Sequence, residues 1–284
     1  MKRSFALTAL ALAAACASGS AWAVITCSVA SAGVTASGSP VPYVPSTATT
    51  NVTTANFTVT CQRTLAGDAT TQAYTVKASN GLYSSGQNNR AASGANRITY
   101  DVYTNNTCAT QWRSNATIGG NVTFTGTSDF SPRTATSIFY GCIPGSQTTV
   151  PAGTYSDTVV MTLSPGASTA AFPVSIITPS SCSITTAPGN ITFNYTSFNS
   201  SVLTPSTTFA TTCTSQLPYT MALDLPTGTS LGLNYSLALS AGSGMGTGLA
   251  QSYSINGTMA ASQAGTCALS SCNATQARTI TITY

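Results

Sequence analysis

Along most of the chain, apolar and polar residues alternate with a period of two, the pattern of a strand that buries one face and wets the other. Asn56-Phe57-Thr58-Val59-Thr60-Cys61, Gln72-Ala73-Tyr74-Thr75-Val76-Lys77 and Ile98-Thr99-Tyr100-Asp101-Val102-Tyr103 follow this pattern. So do Ile138-Phe139-Tyr140, which leads into Cys142, and the run from Tyr155 to Leu163. Gly, Ser, Asn and Pro separate the runs, and no stretch shows helical periodicity of useful length. Many short strands with frequent turn signals predict an all-β sandwich or barrel.

The plan repeats after Cys182. Cys182-Ser183-Ile184 opens it and Ile191-Thr192-Phe193-Asn194-Tyr195 reads as a strand. Thr207 to Cys213 matches the earlier cysteine-ending strand, and Tyr219 to Leu225 resembles Tyr74 to Lys77. Ser240 to Gly248 is a flexible loop by composition. The last run, Arg278 to Tyr284, places Ile280, Ile282 and Tyr284 on one face. No partner strand follows it in the sequence, and an open sheet edge is a hazard that proteins cover or blunt. In the first half, Pro151 to Leu163 has the same look but is followed by Thr169 to Thr178, where Phe172, Val174 and Ile176 alternate around Pro173. That segment is expected to close the first sandwich within the chain, with Pro173 at a position that tolerates a missing donor. The second half has no equivalent, so its apolar groove is expected to take a strand from another molecule. The predicted organisation is two sandwich domains, 24–179 and 180–284, the second lacking its final strand.

Composition narrows the chemistry. Charged residues make up 5% of the chain, with no His, against about 25% in an average globular protein. From Cys182 onward only Asp224 and Arg278 are charged. So few cations are a poor match for a phosphate backbone, which argues against nucleic acid as a partner. Residues 1–23 read as a secretory signal: Lys2 and Arg3, the apolar stretch Phe5 to Ala15, then Ala21-Trp22-Ala23 as the cleavage site. Cys16 in a lipobox is the other reading, but the usual Leu three residues earlier is absent. Eight cysteines then remain: Cys27, Cys61, Cys108, Cys142, Cys182, Cys213, Cys267 and Cys272. An even count in an exported chain points to disulfides rather than metal, since there is neither His nor CxxC. The similar intervals Cys27 to Cys61 and Cys182 to Cys213 suggest equivalent bridges, leaving Cys108–Cys142 and Cys267–Cys272, though spacing alone does not prove the pairing.

Four stretches carry a resemblance. VPAGTYSDTVVMTLSP (150–165), ITYDVYTN (98–105), CSITTAPGNITFNYTSF (182–198) and the terminal RTITITY are similar to the spore coat U domain family. The second half departs from it in Asn273 to Arg278 and in the close Cys267/Cys272 pair. The resemblance implies immunoglobulin-like subunits of archaic chaperone–usher pili, which lack their seventh strand. A periplasmic chaperone caps such a subunit first, and the N-terminal extension of the adjacent subunit then replaces it. With three residues between the expected cleavage site and Cys27, this chain is expected to accept a strand but not to donate one. That places it at the pilus tip on the cell surface, as an adhesin exported through the periplasm and usher. A non-adhesive structural pilus or coat subunit is the alternative, and a free module binding a small ligand is a third reading.

Enzyme chemistry finds no support. There is no His, no Glu and only five acidic residues, so the usual general bases and triads are missing, and no cofactor motif is present. Asp157 reads as a turn residue and Tyr155 as the tyrosine corner of an immunoglobulin-like sandwich. For contact with an abiotic or host surface, the candidates are Tyr43 and Val44 between Pro42 and Pro45, Leu82 and Tyr83, and the stretch Ile118 through Phe130. The paired prolines are expected to hold the Tyr43 ring outward.

Overall fold

The computed structural model describes residues 25–36, 43–113 and 115–284. The signal segment and Pro42 lie outside the described residues. Every regular element is a strand, with no helix among the described residues. The first half contains β1 (Thr26–Ser31), β2 (Val34–Ala36), β3 (Asn51–Gln62), β4 (Thr71–Ala78), β5 (Asn89–Ser93), β6 (Asn96–Tyr103), β7 (Ile118–Thr123), β8 (Arg133–Ile143), β9 (Gly153–Ser164) and β10 (Thr169–Thr178). The second half contains β11 (Cys182–Thr186), β12 (Ser206–Cys213), β13 (Pro218–Leu223), β14 (Thr227–Ser230), β15 (Leu233–Leu239), β16 (Ser243–Met245), β17 (Ala250–Met259) and β18 (Ile280–Thr283).

In the first half, β1-β3-β8-β6 forms one layer and β7-β4-β9-β10-β2 the other, with β5 bridging β6 and β9. Alternation does what it predicts. Phe57, Val59 and Cys61 of β3 point inward, as do Val159, Met161 and Leu163 of β9, while the intervening residues face water. Aromatic rings fill the space between the layers. The Trp112 ring lies 5.3 Å from Phe57, 4.9 Å from Phe139 and 6.4 Å from Phe172, and its Nε1–H donates to Val76 O at 2.8 Å. The Tyr155 hydroxyl donates back to Pro151 O at 2.9 Å, the tyrosine corner expected of an immunoglobulin-like sandwich.

The first strand changes layers. β1 pairs with β3, and after Gly33 the chain crosses so that β2 runs parallel to β10, Val34 opposite Val174. Gly33 has φ +94°, and a Cβ there would sit 2.1 Å from Pro173 O, so the crossing requires glycine. β10 thus has β9 along its whole length on one side and β2 on the other, and Phe172, Val174 and Ile176 are buried between the layers.

The second half repeats these pairings. β11-β12-β17 matches β1-β3-β8, and the β13–β18 pair matches β4–β9. Cys182 lies opposite Cys213 and is bonded to it, just as Cys27 is to Cys61. Cys108–Cys142 and Cys267–Cys272 complete the four bridges. Two expectations are corrected. Ile191 to Tyr195 forms no ladder, and Ser240 to Gly248 is not wholly a loop, because Ser243–Met245 pairs with β13. Gly244 makes that pairing possible: a Cβ there would lie 2.6 Å from the Tyr219 ring.

Candidate functional site: an open groove beside the last strand

β9 and β18 differ in one respect that controls the second core. β9 is flanked on both sides, whereas among the described residues β18 pairs only with β13 and forms the edge of its sheet. Its apolar side chains are correspondingly under-buried. Ile280 and Ile282 are half-buried, as are Leu233, Tyr235, Leu237 and Leu239 along the facing β15. Tyr284, just beyond β18, is exposed. Among the described residues, the first core holds 27 buried side chains, while the second holds five: Phe209, Cys213, Tyr219, Met221 and Ile255.

The stretch 191–195 forms the other wall. Ile191, Phe193 and Tyr195 alternate inward, but no backbone hydrogen bond engages residues 190–195 among the described residues. Side chains alone hold it. Phe193 and Ile191 cover Gly257, Phe193 meets Tyr235 at 5.8 Å, and the Tyr195 hydroxyl accepts from Gln263 N at 2.7 Å. An extended segment with free amides and an edge strand with free amides thus bound a half-covered apolar floor, the geometry that takes one added strand.

The interior is nearly free of charge. At one end the Tyr219 and Tyr253 hydroxyls meet at 2.5 Å; burial first, then Tyr219, pushes the Tyr253 hydroxyl up to about 12. At the other end Arg278 continues the inward alternation of Ile280 and Ile282. Its guanidinium lies 5.6 Å over the Tyr235 ring and donates to the Tyr235 hydroxyl, to Gln276 Oε1 at 2.6 Å and to Ala277 O at 2.8 Å. Asp224 is held below the usual carboxylate range by the Thr279 and Leu225 amides, with Arg278 acting at longer range.

The surface candidates divide. Tyr43 is 2% exposed; its hydroxyl donates to Pro144 O at 2.9 Å and accepts from Gln147 Nε2 at 3.2 Å. The expectation of an outward ring is therefore corrected: a partner 101 residues away gives the hydroxyl a buried acceptor. Val44 is half-buried. Ile118 begins β7 and packs on the core, so it too leaves the set of projecting loop residues. Leu82 is 73% exposed, and Tyr83 is exposed beneath the Arg97 guanidinium. Phe130 is exposed as well. Asp157 is not in a turn but inside β9, buried, accepting from the Tyr100 hydroxyl at 2.7 Å and from Leu82 N at 2.8 Å.

Register separates these loops. Thr178 pairs with Gly153 at the end near residue 180, and Thr169 with Thr162 at the opposite end. The connections 63–70 and 124–132 lie at that opposite end, because Thr71 pairs with Thr123 and Cys61 with Arg133. Leu82 and Tyr83 sit instead on the flank, where β4 leaves β9. The two end loops are pinned together. Arg63 donates to Gly126 O at 2.6 Å and to Asp68 O, Gln62 Nε2 donates to Phe130 O at 3.1 Å, and Arg133 pairs with Asp129 at 2.7 Å. They present Leu65 and Phe130 to solvent. Leu65 has no alternating neighbours and left no mark in the sequence pattern.

Residues 11–162 match the model of the Spore Coat Protein U domain, so the chain belongs to that family. Three solved structures are similar in outline. The CsuC–CsuE chaperone–tip adhesion subunit pre-assembly complex of archaic Csu pili from Acinetobacter baumannii is 13% identical, covering 91% of this chain and 100% of that one, with a TM-score of 0.47. The CupB6 tip adhesin from Pseudomonas aeruginosa is 12% identical, with coverages of 92% and 94% and a TM-score of 0.40. The CooA pilin subunit from enterotoxigenic Escherichia coli is 13% identical, with coverages of 54% and 99% and a TM-score of 0.32. No curated protein matches the chain.

Proposed function

We propose that the chain is a two-domain subunit of a chaperone–usher pilus, divided at 24–179 and 180–284, whose second domain accepts a β-strand from another molecule. The carrying observation is the missing neighbour of β18. β9, its counterpart, is completed by β10, and β18 has nothing in that place among the described residues. A periplasmic chaperone fills the groove first and the N-terminal strand of an adjacent subunit replaces it after passage through the usher. β10 lies directly ahead of the Cys182–Cys213 strand pair, where a subunit's donor segment belongs, and it is already used to complete the first domain. That supports a position at the pilus tip on the cell surface, with the first domain as the adhesive head.

The head contacts its surface through the apolar end loops around Leu65 and Phe130, with Leu82 and Tyr83 on the flank as a second contact. Apolar contact suits a chain with so little charge, and it supports attachment and biofilm growth. The groove is tested by co-expressing the full chain with its chaperone and comparing it with Ile282→Asp, which sets a carboxylate on the apolar floor. Capture of the parent and loss of capture by the variant is the expected outcome; equal capture would remove the groove from the mechanism. Substituting Ser at both Leu65 and Phe130 should then lower attachment of piliated cells several-fold at unchanged pilus number.

A further inference from the structure

Pairing equivalence between the two halves gives the register of the incoming strand. Val76 lies opposite Leu163 in the β4–β9 pair, and Met221 opposite Ile282 in β13–β18. Both pairs follow a buried tyrosine, Tyr74 and Tyr219, by two residues. Matching them sets Ile282 on Leu163, Ile280 on Met161 and Arg278 on Val159. In the first half Val159 is fully buried and lies opposite Phe172 of β10. An apolar pair thus becomes, in the second half, a guanidinium facing whatever the guest strand supplies. Directly opposite residues of an antiparallel pair share a face and sit close enough for their side chains to touch.

All the acceptors that Arg278 now uses are neutral, its Nε has no partner, and it forms no ion pair among the described residues; the Asp224 carboxylate acts on it only at longer range. The Tyr235 ring and hydroxyl, on the facing sheet, hold it inward rather than letting it extend to solvent. A strand laid along β18 strips water from this cation. Burying a charge is costly unless an opposite charge comes with it.

We propose that Arg278 is the specificity-determining residue of the groove, and that it selects a donor segment carrying Asp or Glu at the position corresponding to Phe172, between flanking apolar residues. A bidentate carboxylate pair there is the strongest arrangement the guanidinium allows. The inference rests on the strand-acceptor reading and refines it by naming the chemistry of the guest.

The test uses the full chain and four synthetic peptides: the 169–178 sequence itself, and versions with Glu, Gln or Lys in place of Phe172. Competition for the groove is read by native mass spectrometry. On the parent chain the Glu peptide should exceed its neutral Gln isostere by about tenfold and the Lys peptide by more, with the advantage shrinking in high salt. On Arg278→Met the Glu advantage should vanish, and on Arg278→Glu the Lys peptide should lead. Equal retention of Glu and Gln peptides on the parent chain, or a Glu preference that survives Arg278→Met, overturns the assignment. Binding of no peptide at all, the unmodified one included, overturns the strand-acceptor reading and the charge rule with it, a result distinct from equal binding of all four.

Discussion

Asp157 illustrates how a single side chain fixes a loop. Its carboxylate accepts from the Tyr100 hydroxyl, from Leu82 N and from Thr158 N, all within 2.7–2.8 Å, and it is 4% exposed. Replacing it with Ala leaves three donors without this acceptor: the buried Tyr100 hydroxyl, at about 1–3 kcal/mol when unpaired, and the part-buried Leu82 and Thr158 amides, which add less. Asp157→Ala should therefore lower the urea stability of the first sandwich by about 2–4 kcal/mol and expose the 79–88 connection to protease; Asp157→Asn, which keeps an acceptor, should cost less. An unchanged urea midpoint would exclude this anchoring role. Asp129 offers a titration instead. The Arg133 hydrogen bond, then the Thr125 amide, hold its carboxyl down at about 2. A depressed carboxyl contributes above its ordinary value near 3.8 and stops contributing as pH falls through about 2. Carboxyl NMR should place its midpoint near 2, and Arg133→Gln should return it toward 3.8. At this scale the sequence is a poor guide. Asp157 in a GTYSD string reads as a turn, and the Tyr43 hydroxyl pairs with Pro144, 101 positions further along the chain.

At the scale of strands, alternation placed many of the elements, and the one run it marked that forms no ladder is instructive. β3, β4, β9, β10, β12 and β13 lie where period-two runs place them, because one face of each is more buried than the other; β6 does too, although Asp101 on its second face is also buried. Ile191 to Tyr195 has an equally good pattern but no ladder, because the pattern specifies which side chains turn inward and leaves the partner open. The short β16 was hidden for the opposite reason: its Gly and Ser carry no hydrophobic signal, and a missing Cβ at Gly244 is what admits the Tyr219 ring. The alternation of Ile280 and Ile282 on an edge strand was legible, and the loop candidates Leu82, Tyr83 and Phe130 are indeed exposed, whereas Leu65 left no trace in the pattern. β10 gives the strongest test at this scale. The Phe172 ring is fully buried, its centroid 6.4 Å from that of Trp112 and 5.3 Å from that of Phe139. Phe172→Ala should cost about 3–5 kcal/mol in the first sandwich, measured by chemical denaturation. A loss under about 1 kcal/mol would mean that β10 is dispensable for closing it.

For the whole molecule, the contrast between 27 and five buried core side chains among the described residues sets unequal stabilities. Hydrophobic burial is the main favourable contribution to folding, and the margin left after conformational entropy is small. The first sandwich carries its own tenth strand and two disulfides, so it should unfold as a cooperative unit at high temperature. The second has one cross-strand disulfide, one short disulfide loop and a floor of half-buried Leu, Ile and Tyr side chains. Its stability should therefore depend on what lies against β18, since a ligand that binds only the folded form stabilises it by mass action. Calorimetry of the full chain should resolve two transitions. The 169–178 peptide should raise only the lower one, by an amount that grows with peptide concentration. Arg278→Met should raise the lower transition further with this uncharged peptide, because the guest then covers a methionine instead of an unpaired guanidinium. A single transition that ignores the peptide would mean that the second sandwich is already complete, and that the unpaired amides of 191–195 serve no guest.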